Sequence, residues 1–237
     1  MGQIYEITPI TMLDYPDELA CIVWFSGCNL RCVYCHNPDI VLNKGQKEDA
    51  ELLAFLKSRR GKLTGVVFSG GEATFCPTLP DLVRQAKEMG FKTKLDTNGS
   101  NPAVLRQLVD AGLLDRVSLD YKCPPYLAEK LLGTARFETA FRESLDFLIA
   151  ESRAGQVFLE VRTTVSPDLF SEADIGWMIA DLDSRGYQGT YWLQNIVSSG
   201  EKTLGNIDPS TKTFDFSQLP VPKNFQLGFR NFPQQKK

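Results

Sequence analysis

Cys28, Cys32 and Cys35 stand in the run Gly27-Cys28-Asn29-Leu30-Arg31-Cys32-Val33-Tyr34-Cys35-His36-Asn37-Pro38. Thiolates spaced C-x3-C-x2-C can ligate three irons of a cubane. A 4Fe-4S cluster normally takes four cysteines, so one iron stays open to a ligand from outside the chain. A metal with an open position acts chemically on what it binds, whereas a closed site mainly holds a fold together, a logic stated for zinc that carries over to iron. The loop therefore reads as an active site. Zinc is a rival reading, with His36, the single histidine of the chain, as fourth ligand; it directly follows Cys35, and closing a tetrahedron from adjacent residues would be strained. A disulfide is weaker still, because cysteines this close bridge poorly and nothing in the sequence suggests secretion.

The elements that must hold this loop are legible as alternating β-rich and helical patterns, the signature of parallel βα units. Six strand runs emerge: Cys21 to Phe25, Gly65 to Phe68, Phe91 to Leu95, Arg116 to Leu119, Val157 to Val161 and Thr190 to Leu193. Each ends in polar residues. Between them lie apolar stripes at helical spacing: Leu52, Leu53 and Leu56; Leu82, Val83 and Ala86; Val104, Leu105, Leu108 and Val109; Phe137, Ala140, Phe141, Leu145 and Leu148; and Ile175, Met178, Ile179 and Leu182 behind the N-cap candidate Ser171. These stripes read as core faces. Five βα repeats and a sixth strand predict an α/β fold, a partial (β/α)6 TIM-like barrel or a doubly wound sheet. Both bind ligands at the C-terminal ends of their strands. From Leu204 onward the pattern fades among Pro209, Pro220, Pro222 and Pro233, which predicts an irregular C-terminal tail. The chain reads as one domain over 1–237, with its core at about 18–200 and the tail at 204–237.

Composition narrows the function classes. The 237 residues are 43% hydrophobic and 23% charged, with a formal charge of −3. That balance offers no excess of cations for phosphates and does not suggest a nucleic-acid partner. The N-terminal residues show neither a basic n-region nor an apolar h-region, and the longest apolar run, Ala20 to Phe25, is too short to span a bilayer. A cytoplasmic location without a membrane partner is expected.

The polar strand ends supply candidates for ligand binding. Gly70-Gly71-Glu72 leaves the backbone open to close approach and adds a carboxylate that can accept from an ammonium; alone, such a tripeptide is more often a turn. Asp96-Thr97-Asn98-Gly99 offers a carboxylate, a hydroxyl and an amide suited to a cation, or else an ordinary Asn-Gly turn. Asp120 and Lys122, two apart on an extended segment, share a side and could meet an ammonium and a carboxylate, or only each other. Arg162 inside a barrel would need an anionic partner; facing outward it would simply be solvated.

The order of these motifs resembles the radical S-adenosylmethionine enzymes, and within them the branch that activates glycyl radical enzymes. The resemblance covers roughly residues 8 to 165 and rests on the cysteine loop with its Cys-His-Asn-Pro continuation, Ser-Gly-Gly-Glu, Asp-Thr-Asn-Gly and Asp-x-Lys. The run Lys94-Leu95-Asp96-Thr97-Asn98-Gly99-Ser100-Asn101-Pro102, with Leu13-Asp14-Tyr15-Pro16, looks most like the anaerobic ribonucleoside-triphosphate reductase activating proteins. The resemblance implies Cys28, Cys32 and Cys35 as ligands of a 4Fe-4S cluster. It implies Tyr34 and His36 beside the adenine of S-adenosylmethionine, and Gly70, Gly71 and Glu72 at its amino group. Asp120 and Lys122 would serve the methionine end, Asp96 and Thr97 a monovalent cation, and Asn98 and Arg162 would complete the pocket. It implies reductive cleavage of S-adenosylmethionine and hydrogen abstraction from a backbone glycine of a partner glycyl radical enzyme, with flavodoxin or ferredoxin as electron donor.

Two departures stand out. Asp17 follows Asp14-Tyr15-Pro16 where family members often carry glycine, and the stretch from Cys35 to Gly70 holds no further cysteine cluster. Cys21, Cys76 and Cys123 are scattered and read as packed thiols, with a redox or substrate-side role as the alternative for Cys76 and Cys123, which follow the polar loops. Three other readings stay open: a pyruvate formate-lyase-type activase, a radical enzyme acting on another substrate, and a non-catalytic iron-sulfur module that senses redox state.

Overall fold

The six β-rich runs become consecutive parallel strands, and two further strands flank them. The computed structural model describes residues 3–196, 203–207 and 210–232. In chain order the strands are β1 (Ile4–Thr11), β2 (Ala20–Phe25), β3 (Gly65–Gly70), β4 (Lys92–Thr97), β5 (Arg116–Asp120), β6 (Phe158–Val165), β7 (Thr190–Asn195) and β8 (Gln226–Arg230). They lie side by side in sequence order in one eight-stranded sheet. β1 runs antiparallel to β2, and all later neighbours are parallel. Among the described residues β1 and β8 remain the two edges, so the barrel is partial and open.

The helices are α1 (Pro38–Leu42), α2 (Asp49–Arg59), α3 (Leu79–Glu88), α4 (Pro102–Asp110), α5 (Ala128–Leu132), α6 (Glu138–Arg153) and α7 (Glu172–Ser184). Each apolar stripe supplies buried residues, such as Leu52 and Leu56 of α2 and Leu145 and Leu148 of α6. Ser171 caps α7 reciprocally: its hydroxyl accepts from the Asp174 N–H while the Asp174 carboxylate accepts from the Ser171 N–H.

Strand alternation divides the sheet into two unlike faces. Cys21, Val23 and Phe25 of β2, Val66 and Phe68 of β3, Val117 and Leu119 of β5, and Leu159 and Val161 of β6 join the large core shared with the helices. The alternate residues Ala20, Ile22 and Val67 form a separate small cluster with Tyr15, against which Trp24 packs. Further along the sheet that same face carries Lys94, Asp96, Ser118, Asp120, Glu160 and Arg162. Four of these meet across the strands: Ser118 pairs in register with Glu160, and Asp120 with Arg162.

The C-terminal tail is more ordered than its prolines suggest. It contributes β8, and Phe216 packs on Phe229 and Phe232 at ring separations of 4.6 and 5.0 Å. Gly228 interrupts the β-rich pattern of β8 because a Cβ there would lie 2.4 Å from the Trp192 ring. Pro9 masked β1 in the same way; a proline is tolerated there because β1 is an edge strand whose register shifts between Thr8 and Thr11. Pro209 and Pro233 lie outside the described residues. Among the described residues no helix is long and apolar enough to cross a membrane.

Candidate active site

The cysteine loop leaves the C-terminal end of β2 and is fixed from three sides. Gly27 turns with φ +82° and donates its N–H to the Ile40 carbonyl at 2.8 Å. The N–H groups of Arg31 and Val33 donate to the carbonyls of Leu132 and Leu131 at 3.0 and 2.9 Å, so the C-terminal end of α5 holds the loop's middle. From the tail, the N–H groups of Leu204 and Gly205 donate to the Cys35 and Val33 carbonyls at 3.0 and 2.8 Å.

The fourth support is the turn after β3, and it changes the reason for the two glycines there. A Cβ on Gly71 would sit 1.8 Å from the Gly27 carbonyl oxygen, and one on Gly70 would sit 2.4 Å from the Phe25 backbone. The Gly71 and Glu72 N–H groups donate to the Phe25 and Gly27 carbonyls at 2.8 and 2.9 Å. Both glycines line the cavity described below. Their lack of a side chain is demanded first by the cysteine loop.

Cys28, Cys32 and Cys35 border one cavity of about 290 Å³ at the C-terminal ends of the strands. All six cysteines are free thiols, which sets the disulfide reading aside. Among the described residues no three His, Cys, Asp or Glu side chains converge on a point where one metal ion could be held. Burial pushes the Cys28 thiol up to about 11 and raises Cys32 as well. The Leu30 N–H donates to the Cys28 sulfur at 3.4 Å. Cys21, Cys76 and Cys123 are buried and absent from the cavity lining; burial raises the Cys123 thiol to about 12, as expected of packed cysteines.

The same cavity meets a charged cluster on and just beyond β4, β5 and β6. Asp120 accepts from Lys122 Nζ at 2.8 Å on one oxygen and from Arg162 Nε at 2.6 Å on the other. Asp96 accepts from Lys94 Nζ on one oxygen, and from Ser69 Oγ at 3.1 Å and Arg162 Nη2 at 3.3 Å on the other. Burial alone would raise both carboxyls, but the cations override it: Arg162 with Lys122 holds Asp120, and Arg162 with Lys94 holds Asp96, below the usual carboxylate range. Lys122 is raised despite burial, chiefly through Asp120. Three cations face two carboxylates, so one positive charge is in excess.

Asp96, Thr97, Asn98, Asp120, Lys122, Arg162, Tyr34 and His36 all border this cavity. Glu72 does not, and here the structure departs from the expectation that its carboxylate meets an ammonium. Its Oε1 accepts from Thr74 Oγ1 at 2.6 Å, Thr97 Oγ1 at 2.7 Å and the Thr74 N–H at 3.2 Å, and its Oε2 accepts from the Asn98 N–H at 2.7 Å. The side chain ties the β3 turn to the β4 turn. Burial raises its carboxyl, with these four donors pulling the other way. Tyr34 is likewise anchored, its hydroxyl donating to the Lys122 carbonyl at 2.9 Å. Asn98 donates to Asn29 at 3.0 Å, joining the β4 turn to the cysteine loop. His36 is half-buried, and burial lowers its pKa.

A family model, the radical SAM superfamily, matches residues 22–145, about half of the chain and all of the cysteine, glycine and acidic motifs. The chain belongs to the radical SAM superfamily. A protein of Methanocaldococcus jannaschii described as a candidate glycyl-radical enzyme activating enzyme is 30% identical over 174 residues, 71% of this chain and 70% of that protein. This match places the chain in the glycyl-radical-enzyme activating family. The pyruvate formate-lyase-activating enzyme of Clostridium pasteurianum is 39% identical over 136 residues, 52% of this chain and 57% of that enzyme. The aligned part thus spans little more than half of that relative's length. Among solved structures, Streptococcus suis SuiB bound to S-adenosylmethionine shares the fold, with TM-score 0.64 and 14% identity over 89% of this chain and 52% of that one.

The cofactors of this radical SAM enzyme are a 4Fe-4S cluster and S-adenosylmethionine, and the site suits both. Three free thiols border the cavity beside the cradle that Gly71 keeps open, and the cations Lys122 and Arg162, able to receive a carboxylate, border it too. Cys28, Cys32 and Cys35 would hold the cluster, and Lys122 and Arg162 would meet the anionic end of the methionine. Sequence reasoning missed Ser69, Thr164 and Gln194 in the lining, and Lys94 behind it. Gln194 was visible only as a polar residue at a strand end; its Oε1 is buried with no hydrogen-bond partner among the described residues.

Proposed function

We propose that the chain installs a glycyl radical on a partner enzyme, the anaerobic ribonucleoside-triphosphate reductase. The observation that carries the reading is that one cavity at the strand ends is bordered by Cys28, Cys32 and Cys35 together with Asp120, Lys122 and Arg162. Held by Cys28, Cys32 and Cys35, a reduced 4Fe-4S cluster would supply the one electron that reductive cleavage of S-adenosylmethionine to methionine and a hydrogen-abstracting carbon radical requires. The chain's own residues fix the geometry. The α5 carbonyls and the tail immobilise the cysteine loop, and the Asp120-Arg162-Lys122 cluster presents preorganised charge to the methionine end. The open edge between β1 and β8 is compatible with entry of a polypeptide, and flavodoxin or ferredoxin is the proposed electron donor. The run Lys94 to Pro102 favours the reductase as partner. The pyruvate formate-lyase-activating enzyme at 39% identity supports a second reading, in which the partner is a pyruvate formate-lyase.

The test is anaerobic. The reconstituted protein is reduced with dithionite, given S-adenosylmethionine, and assayed for 5'-deoxyadenosine beside Cys32→Ala. Each candidate partner is then examined for a glycyl radical by electron paramagnetic resonance. Product in wild type alone, with a radical on the reductase, is the expected result. A radical only on the lyase moves the second reading forward, and no product from an intact cluster moves the redox-sensing module forward.

A further inference from the structure

Asp96 and Thr97 are the residues at which the family resemblance calls for a free monovalent cation, and the side chains around them do not fit one. A hard cation needs several oxygen ligands that are not already held by cationic donors. Here one Asp96 oxygen receives the Lys94 ammonium, and the other receives Ser69 Oγ at 3.1 Å and Arg162 Nη2 at 3.3 Å. Asp120, which shares Arg162 with Asp96, has one oxygen on Arg162 at 2.6 Å and the other on Lys122 at 2.8 Å. Thr97 Oγ1 is spent as donor to Glu72 and as acceptor from the Gly99 N–H at 3.0 Å. A cation added there would compete with the Lys94 and Arg162 charges already on Asp96.

Lys94 explains this arrangement by its position. It lies on β4 two residues before Asp96, hence on the same face of the strand. Its side chain is only 3% exposed, beside 13% for Asp96. An ammonium so buried is tolerated only when paired, and Asp96 is its partner. Asp96 borders the cavity and Lys94 does not, so the ammonium stands behind the carboxylate.

We propose that Lys94 is a positioning residue that supplies from the chain itself the cation this site would otherwise take from solution. The Lys94 ammonium neutralises Asp96 from behind. Arg162 thereby shares the charge of Asp96 rather than bearing it alone, and can hold Asp120 and, with Lys122, offer charge to the carboxylate of S-adenosylmethionine. The inference rests on assigning that ligand to this cavity. It predicts a glycyl-radical-enzyme activating protein whose cofactor binding is indifferent to sodium and potassium.

The experiment measures S-adenosylmethionine binding by calorimetry on the reconstituted protein in choline, sodium and potassium chloride at equal ionic strength. It compares wild type, Lys94→Arg and Lys94→Met, and reads melting temperatures in the same salts without S-adenosylmethionine. Wild type and Lys94→Arg should bind equally in all three salts. Lys94→Met should bind about tenfold more weakly in choline, a change of about 1.4 kcal/mol, and recover in sodium or potassium. Its melting temperature should rise with those ions alone, a readout that holds whatever ligand the cavity takes. A wild type that loses tenfold in choline would overturn the proposal, as would a Lys94→Met that matches wild type there. If Lys94→Met does not fold, the wild-type salt series decides: dependence on alkali ions refutes the tethered cation, and independence supports it.

Discussion

The two faces of the sheet use alternate residues of the same strands for different ends. On the helix side, Leu95, Val117, Leu119, Leu159 and Val161 are fully or almost fully buried in one continuous apolar core. On the other face, the same strands carry Lys94, Asp96, Ser118, Asp120, Glu160 and Arg162. Closed barrels usually fill that space with branched apolar side chains. In this protein only its beginning, around Tyr15, Ala20, Ile22 and Val67, is filled so. The contrast separates what holds the fold from what presents charge to a ligand. Burial of apolar area supports the first, whereas the second depends on every buried charge finding a partner. Glu160 shows how far the pairing extends, for both its oxygens accept from Arg230 of β8 at 3.2 and 3.1 Å.

The contrast can be tested from both sides. Leu145→Ala, in the middle of α6 and fully buried, should cost about 2–5 kcal/mol in urea unfolding and leave the affinity for S-adenosylmethionine unchanged. A matching loss of affinity would show that the two faces are not independent. Asp120→Asn leaves Lys122 without its carboxylate and Arg162 with Asp96 alone. Its partial exposure limits the expected loss of stability to about 1–3 kcal/mol, while calorimetry should show weakened S-adenosylmethionine binding. Unchanged affinity would remove the charged face from the binding site.

Acid titration sharpens the comparison further. Cations hold Asp96 and Asp120 below the ordinary carboxylate pKa in the native protein. Below pH of about 4 the unfolded chain therefore binds more protons than the native one. The stability these two groups contribute is complete above that pH and is lost as the pH falls through their native values. Urea midpoints from pH 7 down to pH 3 should show this decline, less steeply in Asp120→Asn. Glu72 acts with the opposite sign, because burial raises its carboxyl; its contribution falls as the pH rises through the range of its shift. The smallest change is Ser171→Ala. It removes the cap of α7 and should cost about 1 kcal/mol with no effect on ligand affinity.

Local pattern determined a large share of this protein. The six parallel strands, the five main helices and the cysteine loop follow from periodicity and spacing, which depend only on neighbours in the chain. β1 and β8 did not follow, since Pro9 and Gly228 break the strand pattern. Their tolerance depends on an edge position and on the Trp192 ring, both supplied by distant parts of the chain. The site divides in the same way. The types and order of Cys28, Cys32, Cys35, Gly70, Gly71, Asp96, Asp120 and Lys122 were legible because each motif is a short run at a strand end. Only the tertiary structure decided where the side chains point. It turned Glu72 inward onto Thr74, Thr97 and Asn98, set Gly71 against Gly27, and placed Lys94 on Asp96. A side chain's partner across strands depends on register and burial, and those quantities exist only once the sheet has formed.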